Sequence, residues 1–500
     1  MNQMKKIYLL FGIISALSLS SCNDWLDVRP ETEQKAEDQF SSTGGFCDAL
    51  TGTYMSMGSQ DIYGERLSMT NIESLANLWY MDETETRRNE DLDLKRHTYN
   101  TTYAEDAIEA IYAQLFNVVA QANMVIKNVD ENGGVVQNPA MRAVLQGEAY
   151  AIRAYCQLDV LRLFGQLPAG GTQAVSLPYS ETTSIEEMPS YYDFNAYVEK
   201  LKYDIAMAES LLKDNDPVFQ YSFAELNSAP AGLDDFFYYR QSRMNYWAVK
   251  ALEARMLLYV GEKDEAYRVA REVIDATLEG EPVMEMSGPA DFTAGYTLCP
   301  SECLFYLSKY DVMDYSSSVL IGGNMTVQYS PTSNLAITHD MRDELYAEVG
   351  AYLGSHNRYL HQWNNNIRDA YQQTYSATTK YYWDEDEANN LMTCHQLVPM
   401  LRMSEVYLIA MEAAPTLEEA NALFQAYMIA HEVPNAADFQ SMEELPAFVL
   451  SEYRREFFAE GQAFYTYKRM GAEDMLWCEE PVEEADYILP LPITEYNPNR

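Results

Sequence analysis

Apolar residues at Ile108, Ile111, Tyr112, Leu115, Phe116, Val119, Ala122, Ile126 and Val129 recur every three or four positions. That is the spacing of one buried helix face, and it predicts a helix that ends in the run Asp130 to Gly134. A second helix is predicted after Pro139, with Leu145, Ala149, Ile152, Cys156 and Leu163 on its apolar side and Gly165 and Pro168 as its stop. Tyr197, Leu201, Ile205, Ala208 and Leu212 mark a third, and Trp247, Ala251, Ala254 and Leu258 a fourth. Further helices are expected at Leu401–Ala414 and Thr416–His431, and another over Glu443–Met470.

The join from Ala254 to Tyr267 is more specific. An alanine-rich helix, a tyrosine, a short Gly-Glu-Lys-Asp turn and an alanine-led second helix resemble a tetratricopeptide join, whose small residues let two helices pack closely. Such pairs bury a continuous core only by stacking. The expected fold is therefore mainly α: an irregular α-solenoid of four tetratricopeptide-like helix pairs, with loop-rich insertions and a few short strands. Val175–Pro189, Asn215–Tyr239 and Glu279–Asp340 are rich in turn residues, and within the last Cys303–Tyr310 and Met325–Tyr329 read as short strands. Long structured insertions in a helical array are usually functional surfaces.

The first 21 residues read as an export signal. Lys5 and Lys6 precede an apolar stretch from Ile7 to Leu19, which is too short to span a bilayer as a helix. The sequence Leu19-Ser20-Ser21-Cys22 then resembles the lipobox of bacterial lipoproteins, in which the signal is cut before a cysteine that carries the acyl chains. Cys22 is the expected lipidated residue, and residues 22–500 are expected to form a single domain. Several acyl chains anchor stably where one would not.

Charge narrows the partners. There are 34 Lys plus Arg against 76 Asp plus Glu, a formal net charge of −42. With no basic run in the body of the chain, this argues against nucleic acid and against attraction to anionic headgroups. At 47% hydrophobic residues the chain nevertheless forms a core and is not a disordered acidic tail.

Several segments together resemble the SusD/RagB family of outer-membrane nutrient-binding lipoproteins. Cys22-Asn-Asp-Trp-Leu-Asp27 resembles the family's start. Gly147-Glu148-Ala149 with Arg153-Ala154-Tyr155 and Arg162 to Gly165 resembles one family helix, and Leu401 to Ala410 another. Arg454-Arg455-Glu456, Glu460-Gly461 and Tyr467-Lys468-Arg469 resemble the C-terminal helix, with Tyr467 near where Leu is usual, and Ile488 to Ile493 the closing segment. The resemblance covers essentially the whole mature chain. It implies a scaffold of four tetratricopeptide-like pairs under a loop-rich ligand face. It also implies an outer-membrane, surface-exposed lipoprotein that caps a SusC-like, TonB-dependent β-barrel transporter. Its ligand is an oligomeric nutrient, usually a glycan and sometimes a peptide, which it does not cleave, and no cofactor is implied.

The family-identifying arginines, Arg153, Arg402, Arg454 and Arg455, lie beside acids on helices, which predicts ion pairs and caps in preference to ligand contacts. Ligand contacts need other chemistry: aromatic rings bury the C–H face of a sugar, while Asp, Asn, Gln and Arg bond its hydroxyl rim. That mixture occurs in the window Tyr63–Tyr103, and again over Tyr352–Trp383, where eight of 32 residues are aromatic against 13% for the chain. The expected ligand face thus lies in insertions near 60–103, 175–242 and 279–395. Its expected stacking platforms are Trp79, Tyr80, Trp363 and Trp383, and its polar contacts Arg66 and Asn77. The competing reading is that these aromatics pack loops onto the scaffold.

Catalysis finds little support: no H-E-x-x-H, G-x-S-x-G, Walker loop or Rossmann fingerprint is present. Asp384 to Glu387 lacks the glycine and terminal glutamate of an EF-hand loop, and Cys299 with Cys303 has no second Cys/His pair nearby, so no metal site is expected. A lipid-anchored glycosidase and a purely structural helical-repeat adaptor stand as the alternative functions.

Overall fold

The structure is a computed structural model that describes residues 36–82, 84, 88–183, 187–321, 328–330, 333–382 and 396–496. Cys22, the rest of the export signal and Trp383 to Glu387 lie outside the described residues.

The scaffold is mainly helical. Its principal helices are α1 (Thr43–Met57), α2 (Thr102–Asn132), α3 (Pro139–Phe164), α4 (Phe194–Lys213), α5 (Tyr246–Tyr259), α6 (Lys263–Ile274), α7 (Met403–Glu412), α8 (Leu417–Ala430), α9 (Leu445–Glu456) and α10 (Ala463–Met470). Consecutive helices pack on one another from α1 and α2 to α7 and α8, giving four pairs in which α1 is the helix not foreseen, while α9 packs on α7 and α10 reaches back to α3. The starts follow capping chemistry. Thr101, Asn138, Asp193, Asn245 and Thr416 each accept a backbone N–H of the first turn of α2, α3, α4, α5 and α8, and Pro139 fills the first helical position of α3. No described helix is long and apolar enough to cross a membrane.

Close approach explains Gly147 in α3. A Cβ there would stand 3.0 Å from Leu212 Cγ and 3.2 Å from Leu211 Cβ of α4. Arg153, Arg402 and Arg455 are buried in ion pairs, whereas Arg454 is half-buried and bonds only hydroxyls among the described residues. Arg153 binds Asp204 on α4 through two bonds of 2.7 and 2.5 Å, and Arg455 pairs with Glu452 on its own helix. Arg454 donates to Ser451 Oγ at 2.8 Å.

Strands appear where the insertions meet the scaffold: β1 (Cys303–Ser308), β2 (Ile337–Thr338), β3 (Trp363–Arg368), β4 (Thr374–Thr378) and β5 (Leu397–Arg402). β1 and β5 pair antiparallel, Cys303 opposite Arg402 and Ser308 opposite Leu397. β4 lies between β2 and β3, with Trp363 opposite Thr378 and Ile337 opposite Ser376. The expected strand at Cys303–Tyr310 is therefore present as β1. Most of Met325–Tyr329 lies outside the described residues, and Tyr329 itself is not in a strand.

Two helix boundaries differ from expectation. Leu401 and Arg402 belong to β5, so α7 starts at Met403. The expected helix Glu443–Met470 is broken between α9 and α10, where Ala459 and Gly461 take φ of 60° and 76°. The break turns Glu460 inward, where its carboxylate accepts Arg402 Nε at 2.8 Å and Lys380 Nζ at 2.5 Å. Helical periodicity runs through this reversal because its neighbours are apolar on both sides. Cys299 and Cys303 are free thiols, with Cys303 Sγ 3.4 Å from the Cys299 carbonyl.

Candidate functional site

The insertions expected to form the ligand face are held to the scaffold by aromatic packing and buried charge. Trp79 is 0% exposed; its indole N–H donates to the Met69 carbonyl at 3.0 Å and its ring meets Phe458 edge-on at 4.8 Å. Trp363 at the start of β3 packs against the same Phe458 at 4.9 Å and donates to Tyr346 Oη at 3.1 Å. Both tryptophans are core, which corrects their assignment as stacking platforms: a ring enclosed on both faces has none to offer a sugar. Tyr63 donates to Asp159 at 2.7 Å, Tyr381 donates to the Ala459 carbonyl at 2.9 Å, and Arg358 is buried against Glu456. Loop packing is thus the role of most aromatics in the two windows. An exception is Tyr371, 77% exposed in the turn between β3 and β4.

Arg66 donates to Asn71 Oδ1 at 2.8 Å and approaches Asp61 at 3.4 Å, which ties it down within its own loop. Trp383 cannot be placed, since it lies outside the described residues. Asn77 and Tyr80 are the expected site residues that the structure brings together. Both line a groove of about 520 Å³, within the size range of small-molecule sites.

The groove lies between two segments remote in sequence. One wall is the turn Lys95, Arg96 and His97 after the short helix Asn89–Lys95; the other is the stretch from Trp477 to Val482 with Asp486. Met341, from the helix His339–Leu345, and Met81 add apolar surface. The backbone N–H of Tyr80 donates to the Ala336 carbonyl at 3.1 Å, which pairs Tyr80 with the strand edge just before β2. Its ring then leans on Tyr375 at 5.9 Å, part of a small satellite core with Tyr329 and Ile367.

Trp477 is half-buried and donates its indole N–H to Glu344 Oε2 at 2.9 Å, which orients the ring. It sits at φ 63°, and Asn77 and His97 in the same groove sit at φ 60° and 53°. Three non-glycine residues in the left-handed region around one cleft is backbone strain of the kind that collects at functional sites. Asn77 holds Lys95 in place, donating Nδ2 to its carbonyl at 3.2 Å, and Lys95 Nζ donates to the Trp79 carbonyl at 3.2 Å. His97 Nε2 lies 3.0 Å from the Leu75 carbonyl and so carries the proton; burial pushes this imidazole below its usual value, so it is neutral at pH 7. Glu479 and Glu480 are exposed on the opposite wall.

This arrangement offers partly exposed aromatic surface, from Tyr80 and Trp477, beside a rim of cationic and carboxylate groups; Asn77, 2% exposed, braces the wall from within, which corrects its assignment as a polar ligand contact. Such a site can hold a ring by its C–H face and bond its hydroxyls. No cluster of three or more His, Cys, Asp or Glu able to hold a metal occurs among the described residues. Sequence reasoning missed Trp477 and the Lys95–His97 turn. Both are short stretches without periodicity, and Trp477 lies 133 positions from Glu344, which orients it, and farther still from Asn77 and the Lys95–His97 turn across the groove.

Comparison with known proteins bears on the fold. No family model matches the chain. A SusD-like protein from Formosa agariphila is 23% identical across 98% of this chain and 97% of its own length. A SusD superfamily structure from Bacteroides thetaiotaomicron superposes with a TM-score of 0.66 at 18% identity, covering 92% of this chain and 98% of that one. A laminarin-binding SusD-like protein superposes with a TM-score of 0.66 at 16% identity, covering 91% of this chain and 98% of that one.

Proposed function

We propose that the chain is a member of the SusD/RagB family and acts as a surface lipoprotein that captures a glycan and passes it to a SusC-like, TonB-dependent β-barrel in the outer membrane. The observation that carries the reading is the groove between Tyr80 and Trp477: aromatic faces beside polar and charged rim groups, on a fold shared with a laminarin-binding protein. The ligand is an oligosaccharide and is bound without cleavage. Cys22 supplies the anchor, and the strongly acidic body keeps the protein off anionic lipid surfaces so that it docks on protein instead.

Titration calorimetry against oligosaccharide and peptide libraries tests the ligand class, with chromatography of the same mixtures for products. The expected result is saturable binding of an oligosaccharide and no product; peptide-only binding or cleavage refutes it. Trp477→Ala should weaken binding more than about tenfold, the loss typical of a central aromatic contact. Unchanged affinity removes the groove from the proposal. Cys22→Ala should release the protein from membranes on fractionation. Gentle extraction should recover the native protein with a large β-barrel, since a stable lid buries more than roughly 2,000 Å²; recovery only as a free monomer counts against the partner.

A further inference from the structure

The scaffold contains a second, much smaller cavity away from the groove, where α3, α5, α7, α9 and α10 converge. Its volume is about 20 Å³, and its walls include Arg162, Tyr259, Glu405, Gln462, Tyr465 and Arg469. Tyr259 and Tyr465 are each only 3% exposed, and neither hydroxyl has a hydrogen-bond partner in the protein. Native proteins rarely leave a buried hydroxyl unpaired, and two facing one cavity ask for a shared partner.

The charges around the cavity identify that partner. Arg162 is paired with Asp159. Arg255, which also lines the cavity, donates Nε to Glu405 at 2.7 Å, and Arg469 donates to Glu412 at 2.6 and 2.7 Å. Each guanidinium is thus already paired with a carboxylate, Glu405 in the cavity wall and Asp159 and Glu412 outside its lining, so no unpaired cation is left to hold an anion and the site suits a neutral ligand. One water needs roughly 10–15 Å³ and two to four polar partners. The cavity meets the first requirement. Two hydroxyls, with the Gln462 amide and the Glu405 carboxylate beside them, meet the second.

The geometry points to an internal water site: a single water molecule bridges the hydroxyls of Tyr259 and Tyr465 and so couples α10 to the solenoid at α5. The site does not depend on what the groove binds. Gln462 is already engaged by Arg162 Nη1 at 3.2 Å, which leaves the bridging position to a small molecule that can both donate and accept.

Tyr259→Phe, Tyr465→Phe and the double variant test the site in the whole protein, because they remove hydroxyls and almost no volume. A hydroxyl bound to water is missed when removed, whereas an unpaired one is not. Each single variant should therefore lower the melting temperature by about 1 °C, given the transition entropy of a chain this long. The double variant should lose less than the sum of the two, because both hydroxyls hold the same molecule. A crystal structure of the unaltered protein should show one water peak within hydrogen-bond distance of both hydroxyls, and the double variant should lack it. Singles that melt at or above the parent temperature overturn the site, as do strictly additive losses. A peak that takes on a bromide anomalous signal after soaking identifies an anion and overturns it too.

Discussion

Arg402→Met probes the hub on which the two halves of the chain depend. Arg402, 2% exposed at the end of β5, donates Nε to Glu460 at 2.8 Å and Nη1 to Glu456 at 2.7 Å, and it also pairs with Glu302 beside β1. Met keeps most of the aliphatic volume and removes the charge. Glu456 retains Arg358 and His431, and Glu460 retains Lys380. Glu302 keeps only uncharged donors, Ser404 Oγ at 2.9 Å and the Ser287 amide at 2.9 Å. One buried carboxylate is thus stranded, so the loss should lie at the lower end of the roughly 3–5 kcal/mol for breaking a buried pair, about 3 kcal/mol. About 2.1 cal/mol/K per residue over roughly 480 residues is a transition entropy near 1 kcal/mol/K, so the melting temperature should fall by about 3 °C. Calorimetry and urea denaturation at pH 7 and pH 4 supply the assay.

The pH dependence has a definite sign. Burial opposes ionisation of Glu456, but Arg358 and Arg402 hold it well below the usual 4.5. A depressed folded value means stability that is present above pH 4.5 and lost as the pH falls through the folded value. Arg402 supplies part of that stability, so the gap between parent and variant should narrow on acidification. A loss under about 1 kcal/mol at pH 7, or a gap that widens toward pH 4, would refute the assignment of Arg402 as the organising cation.

Trp79→Ala should cost about 3–5 kcal/mol of stability while ligand affinity, measured below the lowered transition, stays close to the parent value; a stable variant that loses binding would restore Trp79 to the ligand face. Burial raises Glu73 from 4.5 to about 8, so its contribution is complete below pH 4.5 and is lost as the pH rises through 8. Glu73→Gln should therefore gain stability relative to the parent as the pH climbs from 5 to 8.5, and urea midpoints that move in parallel would contradict this. At Gly461 a Cβ would fall 2.2 Å from the Leu67 carbonyl at φ 76°, so Gly461→Ala should destabilise by more than about 1 kcal/mol, and near-neutrality would show that the chain reversal there is not tightly set.

Local pattern carried much of the scaffold. The stripe from Ile108 to Val129 and the capping residues Asn138 and Asp193 specify helices whatever surrounds them, because a helix satisfies its backbone within a few residues of itself. The small residues of the Ala254–Tyr267 join announced a close helix pair, whereas the close approach at Gly147 emerged only from the structure. The acids beside Arg153 and Arg402 showed that the conserved-looking charges were structural, although not which carboxylate each would meet: Arg153 reaches Asp204 on the next helix, and Arg402 reaches Glu302, 100 positions away.

The groove was only half legible. Asn77 and Tyr80 fall in the expected window and both line the groove, but an aromatic flanked by polar residues reads alike whether its ring faces solvent or the core. Trp79 and Tyr80 are adjacent in sequence, yet one is sealed against Phe458 and the other reaches the groove, because extended backbone at Tyr80 sends neighbouring side chains to opposite sides. Trp477 carried no signal, since its role comes from contacts with residues 77–97 and with Glu344 that chain order does not reveal. The sequence by itself determined the helices, their close pairing and the families of residues able to bind a sugar. Which of those residues are sealed in the core and which line the groove was decided only by tertiary packing, because burial depends on what the rest of the chain brings to each side of a ring.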